Sequence, residues 1–258
     1  MKWSVVEDYR ALSAMAGNLL LDALRRQPEI VLGLPTGRTP EGMYEHVVAE
    51  CGREYRCFSG AQTFNLDEYV GIPPQHPGSY CSYMRRHLFD HVDISEERIH
   101  IPDGAAEDLE RECARYEREI AEAGGLDLTF LGLGRNGHIG FNEPGTPFTS
   151  RTRVVALTES TRRANAPEFA GEAVPNRAIT IGIGTILESK RIVLFASGKE
   201  KAGIVNRFAT ETPSESLPAS ALRGHPDMTV IVDRHAASLT DLSAAQSDTT
   251  GSADRRDA

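Results

Sequence analysis

The residues best suited to chemistry fall in four short segments. In one, His138 sits among Gly134, Gly137 and Gly140, with Asn136 before it and Glu143 after it. An imidazole titrates near neutral pH, and a carboxylate partner can orient it. Glycines let the backbone come close to a ligand. A lone histidine is more often structural, but this dense polar setting favours function. In another, Asp67 and Glu68 are adjacent. Two neighbouring acids at a strand end cannot both face a core. One is a candidate general base with its pKa raised by apolar neighbours. The competing reading, an N-capping or loop carboxylate, is the favoured one for such a pair taken alone. A third segment, Gly33-Leu34-Pro35-Thr36-Gly37-Arg38-Thr39-Pro40, reads as a strand, a glycine turn and a helix start. Helix N–H groups and the positive dipole end suit a phosphate there. A plain turn with Thr39 as cap and Pro40 in the first helical turn fits equally well. It is not a Walker loop, because no Gly-Lys-Ser/Thr follows. The last segment is Ser197-Gly198-Lys199-Glu200-Lys201. A lysine in a first helical turn opposes the dipole unless an anion sits nearby; for Lys199 a solvated surface position is the alternative.

The elements that must hold these segments alternate. Residues 7–26 have a helical apolar face, and 29–34 are a short apolar run bounded by turn residues. Helices are expected at 40–51, 79–91, 108–123 and 199–208. Further strands are expected at 62–66, 126–133, 153–157, 178–183, 191–196 and 228–232. Val/Ile/Leu-rich strands alternating with helices predict an α/β fold with a mainly parallel sheet covered on both faces. Ligands of such sheets bind beyond the carboxyl ends of the strands. All four polar segments follow strands, so they should converge on one rim. No linker is visible inside residues 1–235, which predicts one domain, taken as 1–237. The Ser/Thr/Asp/Ala-rich tail, 238–258, is expected to be disordered.

The chain carries a formal net charge of -9, with 40% hydrophobic and 25% charged residues. This balance argues against a nucleic-acid or membrane-surface binder but permits a local pocket for a small anion. Its four cysteines form no CxxC pair and show no zinc-ligand spacing, as expected of thiols in a reducing compartment. No apolar leader or membrane-length apolar run is visible, so a cytoplasmic location is expected.

Together these residues carry a family resemblance. Thr63-Phe64-Asn65-Leu66-Asp67-Glu68-Tyr69, Gly198-Lys199-Glu200-Lys201-Ala202 and above all Asn136-Gly137-His138-Ile139-Gly140-Phe141-Asn142-Glu143-Pro144 resemble the glucosamine-6-phosphate deaminase family. The resemblance runs in order from about residue 29 to 233. It implies a modified Rossmann-like fold with no metal or organic cofactor and an amino-sugar phosphate as ligand. It implies that His138 opens the sugar ring, assisted by Asn136 and Glu143, and that Asp67 moves a proton between C2 and C1. Lys201 and the turn of Thr36, Gly37, Arg38 and Thr39 would hold the phosphate. Pro167 stands where family members often carry an arginine, and Arg38 stands where a small residue is common. Arg38 is therefore a candidate substitute for the missing guanidinium, with a solvent-facing Arg38 as the alternative. Arg153 matches a family position for an allosteric sugar phosphate, but Val155 replaces a lysine, so such activation is expected to be absent or altered. Both monomers and hexamers occur among related enzymes, which leaves a homo-oligomer open. Competing expectations are a deaminase for another hexosamine phosphate, such as galactosamine 6-phosphate, a 6-phosphogluconolactonase-like hydrolase, and a sugar-phosphate sensor domain. The last would need a DNA-binding segment, and none is visible.

Overall fold

The computed structural model describes residues 1–52 and 57–242. Ten strands and seven α-helices are found among them. In chain order they are β1 (Lys2–Val6), α1 (Tyr9–Arg26), β2 (Val31–Leu34), α2 (Arg38–Cys51), β3 (Gln62–Asn65), β4 (Asp67–Tyr69), α3 (Tyr80–His87) and β5 (Ile99–His100). Then follow α4 (Leu109–Glu122), β6 (Leu128–Gly132), β7 (Arg153–Ala156), α5 (Glu159–Asn165), β8 (Arg177–Thr180), α6 (Ile183–Leu187), β9 (Arg191–Ala196), α7 (Ala202–Thr210) and β10 (Met228–Asp233).

Seven strands form a parallel sheet in the order β1-β10-β9-β6-β2-β3-β5. Side chains alternate across it. Phe64, Leu131, Leu194 and Val230 pack with Tyr116, Ile186 and Phe208 on one face. Leu32, Phe130, Val193 and Ile231 pack with Leu12, Leu20 and Tyr44 on the other. This period-two burial on both faces makes the strands read as continuous apolar runs. The helices start where polar caps stand. Asp8 accepts from the Ala11 N–H, Ser79 from Ser82 and Asp108 from Arg111. No helix among the described residues is long and apolar enough to cross a membrane.

The sheet has a change of direction at its middle. From β2 the chain adds β3 and then β5 on one side; from β6 it adds β9 and then β10 on the other. The crevice at the carboxyl ends of β2 and β6 is thus a topological switch point, the place where open α/β sheets bind ligands.

Two expected strands stand elsewhere. β7 and β8 do not enter the parallel sheet but form a separate antiparallel one in the order β4-β8-β7. The expected strand at 178–183 stops at Thr180, and Ile183 already begins α6. β1 was not expected; it is a partly exposed edge strand. The two sheets meet at Leu66, between β3 and β4. Its N–H donates to Leu34 O at 3.3 Å in the large sheet, and its carbonyl accepts from Ile181 N at 2.8 Å beside the small one. In the expected disordered tail, Leu242 is buried against the core, and residues 243–258 lie outside the described residues.

Glu117 on α4 clamps the loop that leads into β7. Its Oε1 accepts from Thr152 N at 2.7 Å, Thr152 Oγ1 at 2.5 Å and Thr185 Oγ1 at 2.6 Å; Oε2 accepts from Arg151 Nη2 at 2.8 Å. Removing it leaves several part-buried donors without acceptors. Glu117→Ala should lower unfolding free energy by about 2–4 kcal/mol in urea titration, with the m-value unchanged.

Candidate active site

Four neighbouring strands of the large sheet, β9, β6, β2 and β3, each end in one of the polar segments. The β2 turn is held from behind by tyrosines. Tyr44 donates to Pro35 O at 2.6 Å, Tyr83 to Gly37 O at 2.7 Å, and Tyr9 lies 3.1 Å and 3.2 Å from the carbonyls of Arg38 and Thr39. Gly37 has φ 97, a conformation that favours glycine, and α2 begins without a side-chain cap. The carbonyls of Pro35, Gly37, Arg38 and Thr39 are therefore engaged, and α2 opens with no side-chain cap, while farther in Gly42 N donates to the Tyr9 hydroxyl at 2.9 Å.

Asp67 and Glu68 divide two jobs. Glu68 is a structural cap: it accepts from Tyr69 N at 2.7 Å, Tyr80 N at 3.0 Å and Cys81 N at 2.8 Å, tying β4 to the start of α3. Asp67 is buried, and its Oδ1 has no hydrogen-bond partner. Burial and the charge of Glu68 push its pKa up to about 8, against a hydrogen bond from Thr36 that works the other way. A protonated carboxyl at a dry strand end, able to ionise when a cation arrives, suits proton transfer. Gly140 packs against it: a Cβ on Gly140 would stand 3.4 Å from Asp67 Oδ2 and 3.1 Å from Thr180 Oγ1.

The segment after β6 supplies a histidine with its carboxylate. His138 Nδ1 faces Glu143 Oε2 at 3.7 Å, an ion-pair distance longer than a hydrogen bond. Asn136 braces both, donating from Nδ2 to Glu143 Oε2 at 2.6 Å and accepting the backbone N–H of His138 at Oδ1, 3.2 Å away. Thr161 Oγ1 donates to Glu143 Oε1 at 2.6 Å. Burial would raise the Glu143 pKa, but the His138 imidazole, the Thr161 hydroxyl and the Asn136 amide outweigh it and hold the carboxyl at about 2. Glu143 is thus a fixed anion beside Nδ1, which favours the proton on that nitrogen and leaves Nε2 free to act. The ring lies over Gly134, where any Cβ would come within 2.4 Å of Nε2.

Lys201 belongs to a 3-10 turn, Lys199–Lys201, ahead of α7. That turn is anchored by the buried Asp233, which accepts from Ser197 Oγ at 2.5 Å and Gly198 N at 3.0 Å. Lys201 Nζ donates to Leu133 O at 2.5 Å. Burial, Arg135 and Arg38 push its pKa down to about 8, with Glu200 opposing. Three cations therefore share one neighbourhood with the single carboxylate of Glu200 named against them, an arrangement that a bound anion would relieve. Lys199 is exposed, and so is Arg38.

The sequence reading did not single out Arg135 or Thr161. Arg135 carried a signal, a cation placed beside the glycines and the histidine; Thr161 carried none. Pro167 is exposed in a 3-10 turn, and nearby Arg162 donates to Val174 O at 3.2 Å. Arg153 is occupied internally, donating to Asn142 Oδ1 at 2.9 Å and Thr146 Oγ1 at 3.3 Å. Among the described residues, no group of three His, Cys, Asp or Glu side chains could hold a metal ion.

The chain is similar to known proteins in sequence and in fold. A sequence family described as glucosamine-6-phosphate isomerases/6-phosphogluconolactonase matches residues 7–231. A glucosamine-6-phosphate deaminase of Shouchella clausii is 51% identical over 235 residues, covering 91% of this chain and 95% of its own. Glucosamine-6-phosphate deaminase 1 of Bacillus subtilis is 49% identical over 240 residues, covering 93% and 99%. Among solved structures, a monomeric glucosamine-6-phosphate deaminase superposes with a TM-score of 0.90 at 49% identity, over 93% of this chain and all of that one. A 6-phosphogluconolactonase from Trypanosoma cruzi shares the fold at a TM-score of 0.76 and 21% identity, over 92% of this chain and 96% of that one. With likenesses that span nearly the whole described chain, this protein belongs to the glucosamine-6-phosphate isomerase/6-phosphogluconolactonase family.

Proposed function

We propose that residues 1–237 act as one domain that deaminates D-glucosamine 6-phosphate in the cytoplasm, giving D-fructose 6-phosphate and ammonia. The observation that carries the reading is the pair of unlike carboxyls at neighbouring strand ends: Glu143 held as an anion beside His138, and Asp67 held ready to ionise. A lactone hydrolase needs a base for water and a phosphate clamp. It has no use for a second, desolvated proton carrier, whereas an aldose–ketose conversion requires one.

The chemistry follows from that division. His138 Nε2 takes the proton from the C1 hydroxyl and gives it to the ring oxygen, opening the pyranose. The imidazolium formed in between is stabilised by Glu143. Asp67 then removes the C2 proton and returns it at C1, while a proton passes from the C2 ammonium to the C1 oxygen, leaving a protonated imine at C2. Water adds at C2 and ammonia leaves, which gives the ketose. The substrate arrives with an ammonium group at C2. That cation beside Asp67 favours the carboxylate, so the substrate ionises its own base. Lys201, Arg135, Arg38 and the N–H groups of the turn of Thr36, Gly37, Arg38 and Thr39 hold the phosphate.

The reading is tested by ammonia release from glucosamine 6-phosphate, with galactosamine 6-phosphate and 6-phosphogluconolactone in parallel and His138→Ala as control. Release from the gluco sugar, lost in the variant, supports it; turnover of a parallel substrate alone replaces it. Arg38→Ala should raise KM for the phosphorylated sugar severalfold with kcat little changed, as expected for loss of a uniform binding contact; an unchanged KM discards the role of Arg38. Asp67→Asn should lower kcat by about 100- to 10,000-fold. The same change should stabilise the fold. A carboxyl whose pKa rises from 3.8 to about 8 on folding costs nothing below pH 4, and the cost grows as pH rises toward 8. The melting temperature of Asp67→Asn should match the wild type near pH 4 and exceed it increasingly up to pH 8.

A further inference from the structure

We infer that Thr161 is a positioning residue for the His138–Glu143 pair, acting through the Glu143 carboxylate and not on the substrate. The inference rests on the functional reading above and adds a residue to it.

The geometry is asymmetric about Glu143. Oε2 takes the Asn136 amide at 2.6 Å and faces His138 Nδ1 at 3.7 Å. Oε1 takes the Thr161 hydroxyl at 2.6 Å, with Thr158 Oγ1 farther off at 3.4 Å. The terminal torsion of a glutamate is broad and roughly two-fold, so one oxygen held by Asn136 alone leaves the carboxylate plane free to turn. A short bond on the opposite oxygen fixes that plane and keeps Oε2 toward the imidazole. Thr161 is itself held. It is buried, and the Thr158 hydroxyl donates to Thr161 Oγ1 at 2.9 Å, so the single hydroxyl hydrogen of Thr161 goes to Glu143. The two hydroxyls form a chain ending on an anion, and each bond strengthens the next.

A merely structural role for Thr161 is separable from this one. Thr158 caps α5 by accepting the Thr161 backbone N–H at 3.2 Å. That cap uses the main chain and does not need the Thr161 hydroxyl. Thr161→Val keeps the cap and the side-chain shape and removes the Thr161 hydroxyl, and with it the bond to Glu143 and the one accepted from Thr158. Thr161→Ser keeps the hydroxyl.

The experiment measures ammonia release from glucosamine 6-phosphate by wild type, Thr161→Val, Thr161→Ser, Glu143→Gln and the double variant Thr161→Val/Glu143→Gln. The expected result is a kcat about tenfold lower in the Val variant, with KM within about twofold of wild type. The Ser variant should recover most of the loss. In the Glu143→Gln background the Val change should cost little more, because its target is gone. A Val variant with wild-type kcat, a Ser variant as slow as Val, or full additivity with Glu143→Gln overturns the inference. If wild type releases no ammonia, the deaminase reading falls. Thr161 is then decided by the Glu143 carboxyl 13C resonance at neutral pH. It should move in the Val variant and return in the Ser variant; an unmoved resonance overturns the inference.

Discussion

The active-site region depends on one joint, the backbone of Leu66. Its N–H belongs to the large parallel sheet and its carbonyl to the edge of the small antiparallel one. A chain passing between two sheets in a single residue has little freedom left. Asp67, the next residue, is therefore delivered to a fixed point where the ends of β3 and β8 meet. The segment with His138 packs onto the same place through Gly140 and Thr180. Rigid sheets on both sides hold the groups proposed to react better than loops alone could, which proton transfer over fractions of an ångström demands.

The joint also explains why two adjacent acids survive inside the protein. Alternation along β4 sends Asp67 and Glu68 to opposite sides. Glu68 finds three backbone N–H groups and secures α3. Asp67 finds few partners and keeps a high proton affinity. Burial still pushes Glu68 up to about 7 in spite of its three N–H groups, whereas the less buried Glu143, beside an imidazole as well as donors, is held at about 2. Burial and nearby charge, as much as the N–H and O–H groups aimed at them, give carboxyls of like chemistry unlike properties.

Much of this was legible in the residues. The Val/Ile/Leu runs revealed the parallel sheet, and the placement of polar segments after strands revealed the rim. The strands at 153–157 and 178–183 were recognisable as strands, but not their sheet. Buried parallel and antiparallel strands share a composition, and β4, with three residues, is too short to show alternation. β1 was missed because an edge strand with exposed positions has neither a full apolar run nor a clean period. The Asp67–Glu68 pair was read as either base or cap; Glu68 is seen to cap, and the base is proposed for Asp67. Sequence alone could not assign them, since the choice turns on which side of β4 meets α3. Thr161 was invisible for a similar reason: a threonine near a helix start is ordinary until its hydroxyl is seen to end on a glutamate far away in the chain.

The grouping of Arg38, Arg135 and Lys201 has a consequence for the molecule as a whole. The chain is acidic, with a net charge of -9, so its overall field opposes the approach of a sugar phosphate. The cationic rim is a small attractive pole on that surface. With the phosphate site proposed above, a dianion would be drawn in here phosphate first, which would turn the sugar before contact. The charge pattern thus acts as a rudder for the incoming ligand, effective over about 8 Å in physiological salt and weakening as ionic strength rises.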